Sequence, residues 1–100
     1  MIKHIVLWKL KDYAEGADKA ENILHMKALL EALPGKISVI RSLEVGVNGI
    51  PSDMAWDVSL IAEFYSPEDL EIYQKHPEHV KVAEFVGKVR MERALVDILM

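Results

Sequence analysis

The sequence contains no cysteine, which excludes disulfide bonds and thiol chemistry. It has only four prolines, and 51% of its residues are hydrophobic, so it does not resemble a disordered chain. No run approaches the roughly eighteen consecutive apolar residues of a membrane-spanning helix. The absence of cysteine also fits a cytoplasmic location. We therefore expect a folded cytoplasmic protein without a membrane segment.

The chain also lacks a large excess of either positive or negative charge. The chain has 12 basic and 16 acidic residues, interspersed along its length, and a net charge of −4. This balance gives no basic surface for nucleic acid or for an anionic membrane, so we predict neither partner. Lysines interrupt the apolar residues of Met1–Lys11, and we expect no signal peptide there. A length of 100 residues suits one domain, which we place at residues 1–100.

The hydrophobic pattern predicts four strands and two helical regions. We place the strands at Ile2–Leu10, Ile37–Val47, Asp57–Tyr65 and Arg93–Leu99. One helix follows Asp18, a capping residue, and ends at Pro34 and Gly35. Pro77 divides the second helical region into two helices, the first of which starts after Ser66. The order β-α-β-β-α-α-β predicts a ferredoxin-like α+β fold, an antiparallel sheet with helices on one face.

The first predicted strand is apolar on both of its faces. Val6, Trp8 and Leu10 lie on one side of it, and Ile5 and Leu7 lie on the other. Two helical regions cover only one face of a four-stranded sheet, so the second face needs a partner. The commonest such partner is another copy related by a twofold axis. We predict a homodimer in which the two sheets pack face to face.

Proton-handling side chains are concentrated at the corner between the two later helices. Tyr73 belongs to the first of these helices, His76 precedes Pro77, and His79 lies in the first turn of the second. The positive end of a helix dipole disfavours imidazolium, which keeps His79 available as a base near neutral pH. A tyrosine hydroxyl can donate to a developing enolate oxygen. The pattern indicates a general acid/base pair of His79 and Tyr73.

Four segments of the chain carry a resemblance to a known family. They are the initial MIKHIVL, Gly46–Asn48, the F-x-S-x-E-D-L run of Phe64–Leu70 and the Y-x-x-H-P-x-H cluster of Tyr73–His79. Together they resemble the stress-responsive A/B barrel (Dabb) family over nearly the whole chain. The resemblance implies a dimeric α+β barrel but no single activity. The family includes stress-induced plant proteins, bacterial proteins of unknown role and a polyketide cyclase that closes an aromatic ring without a cofactor.

The resemblance to the cyclase also implies roles for individual residues. The tyrosine and the second histidine of the cluster are the catalytic pair in cyclase-like relatives, and Tyr73 and His79 fill these positions here. The histidine that matches His4 borders the pocket in those relatives, which implies that His4, Tyr73 and His79 bind a ligand. We expect no cofactor and no resident metal. A hard cation held by loop carbonyls near Gly46–Asn48 is possible in some relatives.

Each of these residues also has a structural interpretation. His79 can brace the Pro77 turn, Tyr73 can pack in the core with its hydroxyl bonded, and His4 can be a hydrogen-bonded residue of an apolar face. Zinc needs three or four convergent ligands. A zinc site made of His4, His76 and His79 lacks a cysteine or a matching carboxylate motif, so we favour a turn role for His76.

Three functional hypotheses follow. The first is a protein of undetermined activity that binds a small apolar or aromatic molecule between sheet and helices. The second is a cofactor-independent, cyclase-like lyase or isomerase with His79 as general base and Tyr73 as acid or oxyanion partner. The third is a purely structural oligomer. A cavity reached by both side chains would favour the first two hypotheses, and a hydrogen bond between Tyr73 and His79 would favour the second over the first.

Overall fold

The computed structural model describes residues 1–100 and contains one main sheet with helices on one face. In chain order the elements are β1 (Ile2–Leu10), β2 (Tyr13–Ala14), β3 (Ala17–Asp18), α1 (Lys19–Glu31), β4 (Ser42–Val47), β5 (Val58–Phe64), α2 (Pro67–Lys75), α3 (Pro77–Val89) and β6 (Arg90–Leu99). The main sheet is antiparallel with the order β4-β5-β1-β6. The predicted ferredoxin-like α+β fold is confirmed, with the small β2–β3 hairpin as an addition.

β1 lies inside the main sheet, and its alternating side chains define the two faces of that sheet. The face under the helices takes the buried residues of β1 and β5: Ile2, His4, Val6, Trp8, Leu10, Val58, Leu60, Ala62 and Phe64. Val6 stands opposite Leu60 in the antiparallel pairing. The helices complete the core with Met26, Leu30, Tyr73, Val82, Val86 and Val89. The predicted faces of the first strand are confirmed.

Side-chain caps fix where the three helices begin. The Asp18 carboxylate accepts a hydrogen bond of 2.9 Å from the Glu21 backbone N–H, and the Ser66 hydroxyl accepts one of 3.2 Å from Asp69. His76 caps α3, because its Nδ1 accepts a hydrogen bond of 3.1 Å from the backbone N–H of Glu78. These bonds satisfy N–H groups that have no partner within the helix. The caps at Asp18 and Ser66 and the turn role of His76 were predicted.

The strand predicted over Ile37–Val47 is too long. Its first residues form turns instead, with the Ile37 N–H donating to the Leu33 carbonyl and the Ile40 N–H donating to the Ile37 carbonyl. Ile37 and Ile40 are both buried, so the apolar spacing there is that of a helical turn and not of a strand. The segment before α1, where no strand was predicted, contains the β2–β3 hairpin, whose turn includes Gly16 at φ 74°.

The second face of the main sheet has no helix over it. We call it the open face; its apolar residues are Ile5, Leu7, Ile61, Ala94, Val96 and Ile98. Ile5, Leu7 and Ile61 are half-buried, whereas Val96 and Ile98 on the edge strand are exposed. The helices are all too short or too polar to cross a bilayer.

Candidate functional site

A pocket of about 300 Å³ lies between the helix-covered face of the main sheet and the helices. Its lining comes from β1, β5, β6 and all three helices: His4, Val6, Trp8, Leu30, Leu60, Tyr73, His79, Val82, Ala83, Val86, Gly87, Arg90 and Arg93. Eight of these thirteen residues are hydrophobic. The mouth of the pocket lies along the edge strand β6, where four lining residues are exposed: Ala83, Gly87, Arg90 and Arg93.

Tyr73 forms part of the floor of this pocket and is only 1% exposed. Its ring packs against Phe64, with 5.0 Å between ring centroids, and against His4, with 6.2 Å. The hydroxyl forms no hydrogen bond within the protein, which differs from the bonded core tyrosine of the structural interpretation. Burial raises the pKa of Tyr73 to about 12. The hydroxyl therefore stays protonated at neutral pH and can donate to a ligand.

His79 lines the same pocket from the first turn of α3. Its Nδ1 lies 3.1 Å from the carbonyl oxygen of Gln74. Because a carbonyl only accepts, Nδ1 carries the proton, and Nε2 of the neutral ring has a free lone pair. Burial lowers the pKa of His79 most, the hydrogen bond to the Gln74 carbonyl opposes this effect, and the neighbouring His4 and Arg93 lower the pKa further by electrostatic repulsion. A neutral imidazole at neutral pH can act as a base.

The Tyr73 and His79 rings are in contact, with 4.5 Å between their centroids and an interplanar angle of 56°. No hydrogen bond joins their side chains, so they form no direct proton relay. The pocket nevertheless places both side chains beside one space. This shared pocket favours a binding or catalytic role over a purely structural one. Because no hydrogen bond joins Tyr73 and His79, the structure does not favour catalysis over binding.

His4 is held by a residue that the sequence analysis did not select. Its ring is 2% exposed, and its Nδ1 lies 2.5 Å from Oδ1 of Asp97. The antiparallel register places Asp97 directly opposite His4 on the neighbouring strand. This contact fixes the orientation of the imidazole ring at the pocket wall. The sequence does contain a sign of this role, because Asp97 is a charged residue between Leu95 and Leu99 on the same face of that strand.

Trp8, Arg90 and Arg93 are the other polar members of the lining that the sequence analysis did not select. Trp8 is buried, and its indole Nε1 is also buried and has no hydrogen-bond partner. The predicted last strand began at Arg93, whereas β6 begins at Arg90. No sequence signal indicates that the two arginines share a side, since residues three apart in a regular strand face opposite ways.

No three histidine or acidic side chains come together in an arrangement that could hold a metal ion. His76 faces the start of α3, where its Nδ1 is bonded to Glu78, and it does not line the pocket that His4 and His79 share. Gly46 and Val47 belong to β4, and in the loop that follows, the Asn48 side-chain amide donates a hydrogen bond of 3.1 Å to the Ile50 carbonyl.

The sequence and the fold both match known proteins. The sequence profile of the Stress responsive A/B Barrel Domain matches residues 2–100. A stress-response A/B barrel domain-containing protein of Arabidopsis thaliana is 34% identical over 84 residues, which cover 84% of this chain. The chain spans only 30% of the length of that relative.

Two solved structures illustrate the shared fold. A dimeric ferredoxin-like protein of unknown function from Bacteroides fragilis NCTC 9343 is 40% identical with a TM-score of 0.87, over 99% of this chain and 95% of that one. A hydroxynitrile lyase from Passiflora edulis is 15% identical with a TM-score of 0.79, over 99% and 92% of the two chains. This second likeness concerns the fold alone. The chain belongs to the stress-responsive A/B barrel domain family.

Proposed function

We propose that this protein binds a small apolar or aromatic molecule in the pocket between the main sheet and the helices. The observation that carries the proposal is an open, mostly apolar pocket of about 300 Å³ into which His4, Tyr73 and His79 all face. Small-molecule sites are typically concave and apolar, with a few polar groups that orient the ligand. A purely structural role for these three side chains would require no pocket beside them.

Filling the pocket tests this proposal. Ala83 lies at the pocket mouth on α3, and its neighbour Glu84 is exposed but outside the lining. We expect Ala83→Trp to weaken the binding of a neutral bicyclic aromatic probe, 2-naphthamide, by roughly tenfold or more, because the indole occupies the binding space. Glu84→Trp adds the same bulk outside the pocket and should leave the affinity unchanged. Isothermal titration calorimetry measures both; equal affinities, or no binding by the unaltered protein, would contradict the proposal.

A second candidate function is proton abstraction from a carbon next to a carbonyl group. The bond from Nδ1 of His79 to Gln74 favours it, because this bond leaves Nε2 as the basic atom of a ring that stays neutral. In this reaction Nε2 takes the proton from the carbon, and the electron pair of the C–H bond moves to form an enolate. The Tyr73 hydroxyl then donates a hydrogen bond to the enolate oxygen. No cofactor is needed for this step.

Deuterium exchange tests this candidate without knowledge of the physiological substrate. The aromatic ketone 2-tetralone, incubated in heavy water, should take up deuterium next to its carbonyl faster with the protein than without it. We expect His79→Gln to reduce the rate by roughly a hundredfold or more, since the general base is lost. Tyr73→Phe should have a smaller effect. His25→Gln, which removes an exposed histidine outside the pocket, is the control. An equal rate with His79→Gln would exclude this role.

We also propose that the protein is a homodimer whose subunits pack through their open faces. Dimeric relatives share the fold, including the 40% identical protein from Bacteroides fragilis. The open face supplies apolar side chains such as Ile5, Leu7 and Ile61 that no part of the same chain covers. Burying such surface against a second copy is favourable. Light scattering should give a mass of twice the 11.3 kDa of the chain; the mass of one chain would contradict the proposal.

A further inference from the structure

The mouth of the pocket carries two arginines and no acidic residue. Arg93 stands opposite Trp8 in the register of β6 with β1, and Arg90 stands opposite Leu10. Both arginines are exposed, and both contribute to the lining. The two arginines and the two histidines are the only basic residues of the lining, and none of the remaining residues carries a charge. A ligand that enters along β6 therefore passes two guanidinium groups before it reaches Tyr73 and His79.

An irregularity in β6 places the two arginines on the same face of the sheet. The register between Lys9 and Leu10 shifts by one residue, so that Glu92 stands opposite Lys9 but Arg90 stands opposite Leu10. Met91 is thus the extra residue of a β-bulge. Without the bulge, residues 90 and 93 would point to opposite faces, because side chains alternate along a strand. Bulges next to functional sites commonly redirect side chains in this way.

Neither of the two arginines has a partner within the protein. The chain has three arginines, and Arg41 pairs with Glu63 at 3.6 Å. The guanidinium groups of Arg90 and Arg93 form no ion pair and donate no hydrogen bond within the protein. The acidic residues nearest to them along β6 are already engaged, Glu92 with Lys9 at 3.4 Å and Asp97 with His4 at 2.5 Å. The donors of both guanidinium groups are free to bind a group from outside.

Trp8, another residue of the lining, carries a buried donor on the strand next to Arg93. The Trp8 indole Nε1 is buried and has no partner, although most buried polar groups in proteins have one. Trp8 is directly opposite Arg93, so the indole and the guanidinium belong to the same part of the wall. Arg93 also lies close enough to His79 to lower its pKa, in addition to the larger effects of burial and of His4.

We propose that the pocket selects molecules with an apolar or aromatic body and a carboxylate group, with Arg93 and Arg90 binding the carboxylate at the mouth. A guanidinium group presents paired N–H donors that match the two oxygens of a carboxylate. This inference rests on the proposed function, because it specifies the ligand of the same pocket.

The test compares two probes of nearly identical shape, 2-naphthoate and 2-naphthamide, which differ in charge. We expect the unaltered protein to bind naphthoate roughly tenfold more tightly than naphthamide, as charge-assisted hydrogen bonds are the stronger ones. Arg93→Gln should remove most of this preference, measured as the ratio of the two affinities in the same variant. Arg90→Gln should have a smaller effect in the same direction. Arg41→Gln, which removes the paired arginine outside the pocket, should leave the preference intact.

The outcomes separate this inference from the proposed function. Equal binding of both probes by the unaltered protein would overturn the carboxylate preference while leaving the binding pocket established. Binding of neither probe would overturn both proposals. The arginines could instead pair with a second copy of the chain. In that case Arg93→Gln would change the mass measured by light scattering and leave the probe preference unaltered, and that result would also overturn the inference.

Discussion

The two faces of the main sheet are built from similar apolar side chains but serve different purposes. Leu60 and Ile61 are neighbours in β5; Leu60 is 1% exposed beneath the helices, and Ile61 is only half-buried on the open face. All of the pocket chemistry, from His4 to Arg93, lies on the covered face. Apolar alternation along a strand therefore indicates that both faces of the sheet are buried or partly buried, whereas only the arrangement of the helices decides which face forms a site.

Leu60→Ala should have the largest effect on the free energy of unfolding. It removes a fully buried side chain that stands opposite Val6, and such substitutions cost about 2–5 kcal/mol. Ile61→Ala, the matched substitution one residue away, should cost less, since its side chain is not enclosed within the subunit. Urea denaturation of both variants at one protein concentration measures the difference. An equal loss for the two variants would mean that the faces are buried to the same degree in solution.

A charge on the open face should change assembly more than folding. We expect Ile5→Glu to convert the proposed dimer to a monomer, because a carboxylate buried between two apolar sheets has no partner. The circular dichroism spectrum should retain its native shape. Leu24→Glu is the control, since Leu24 is an apolar residue of α1 that is 68% exposed and distant in the fold from the open face. If light scattering gives both variants the mass of the unaltered protein, the subunits do not meet through this face.

The sequence was sufficient to predict the order of the elements, because alternation in β1 and β5 and the caps at Asp18 and Ser66 are local signals. The sequence was not sufficient to predict where the second long strand begins, because the apolar spacing after Ile37 fits a turn as well as a strand over a few residues. The 3.1 Å bond from His79 to Gln74 depends on how Pro77 orients α3 against α2. The cytoplasmic location stays a prediction that rests on composition.

The arginines of the pocket show more clearly why the site was only partly predictable. Periodicity places residues 90 and 93 on opposite faces, and the bulge at Met91 that reverses this has no turn residue to mark it. Tyr73 and His79 were found because they lie close together in the sequence. Asp97 enters the site only through strand pairing, which joins residues far apart in the chain.

The smallest expected effect concerns the pH dependence of stability on the covered face. Burial, and to a lesser degree electrostatic repulsion from His4 and Arg93, lowers the pKa of His79 in the folded state below its usual value of about 6.5. Below that value the unfolded chain binds more protons than the folded one, so stability falls as the pH decreases from about 6.5 to the folded pKa and is unaffected by this group at higher pH. The side chain is only half-buried, which keeps the effect small.

Denaturation at a series of pH values would detect this effect as a difference between variants. His79→Gln should flatten the loss of stability on acidification relative to the unaltered protein, and His25→Gln, outside the pocket, should not. Arg93→Gln should raise the pKa of His79, which an NMR titration of the imidazole signals would follow directly. An unchanged titration midpoint in Arg93→Gln would show that the guanidinium group is too well solvated to influence the base, and would weaken the case for an electropositive pocket mouth.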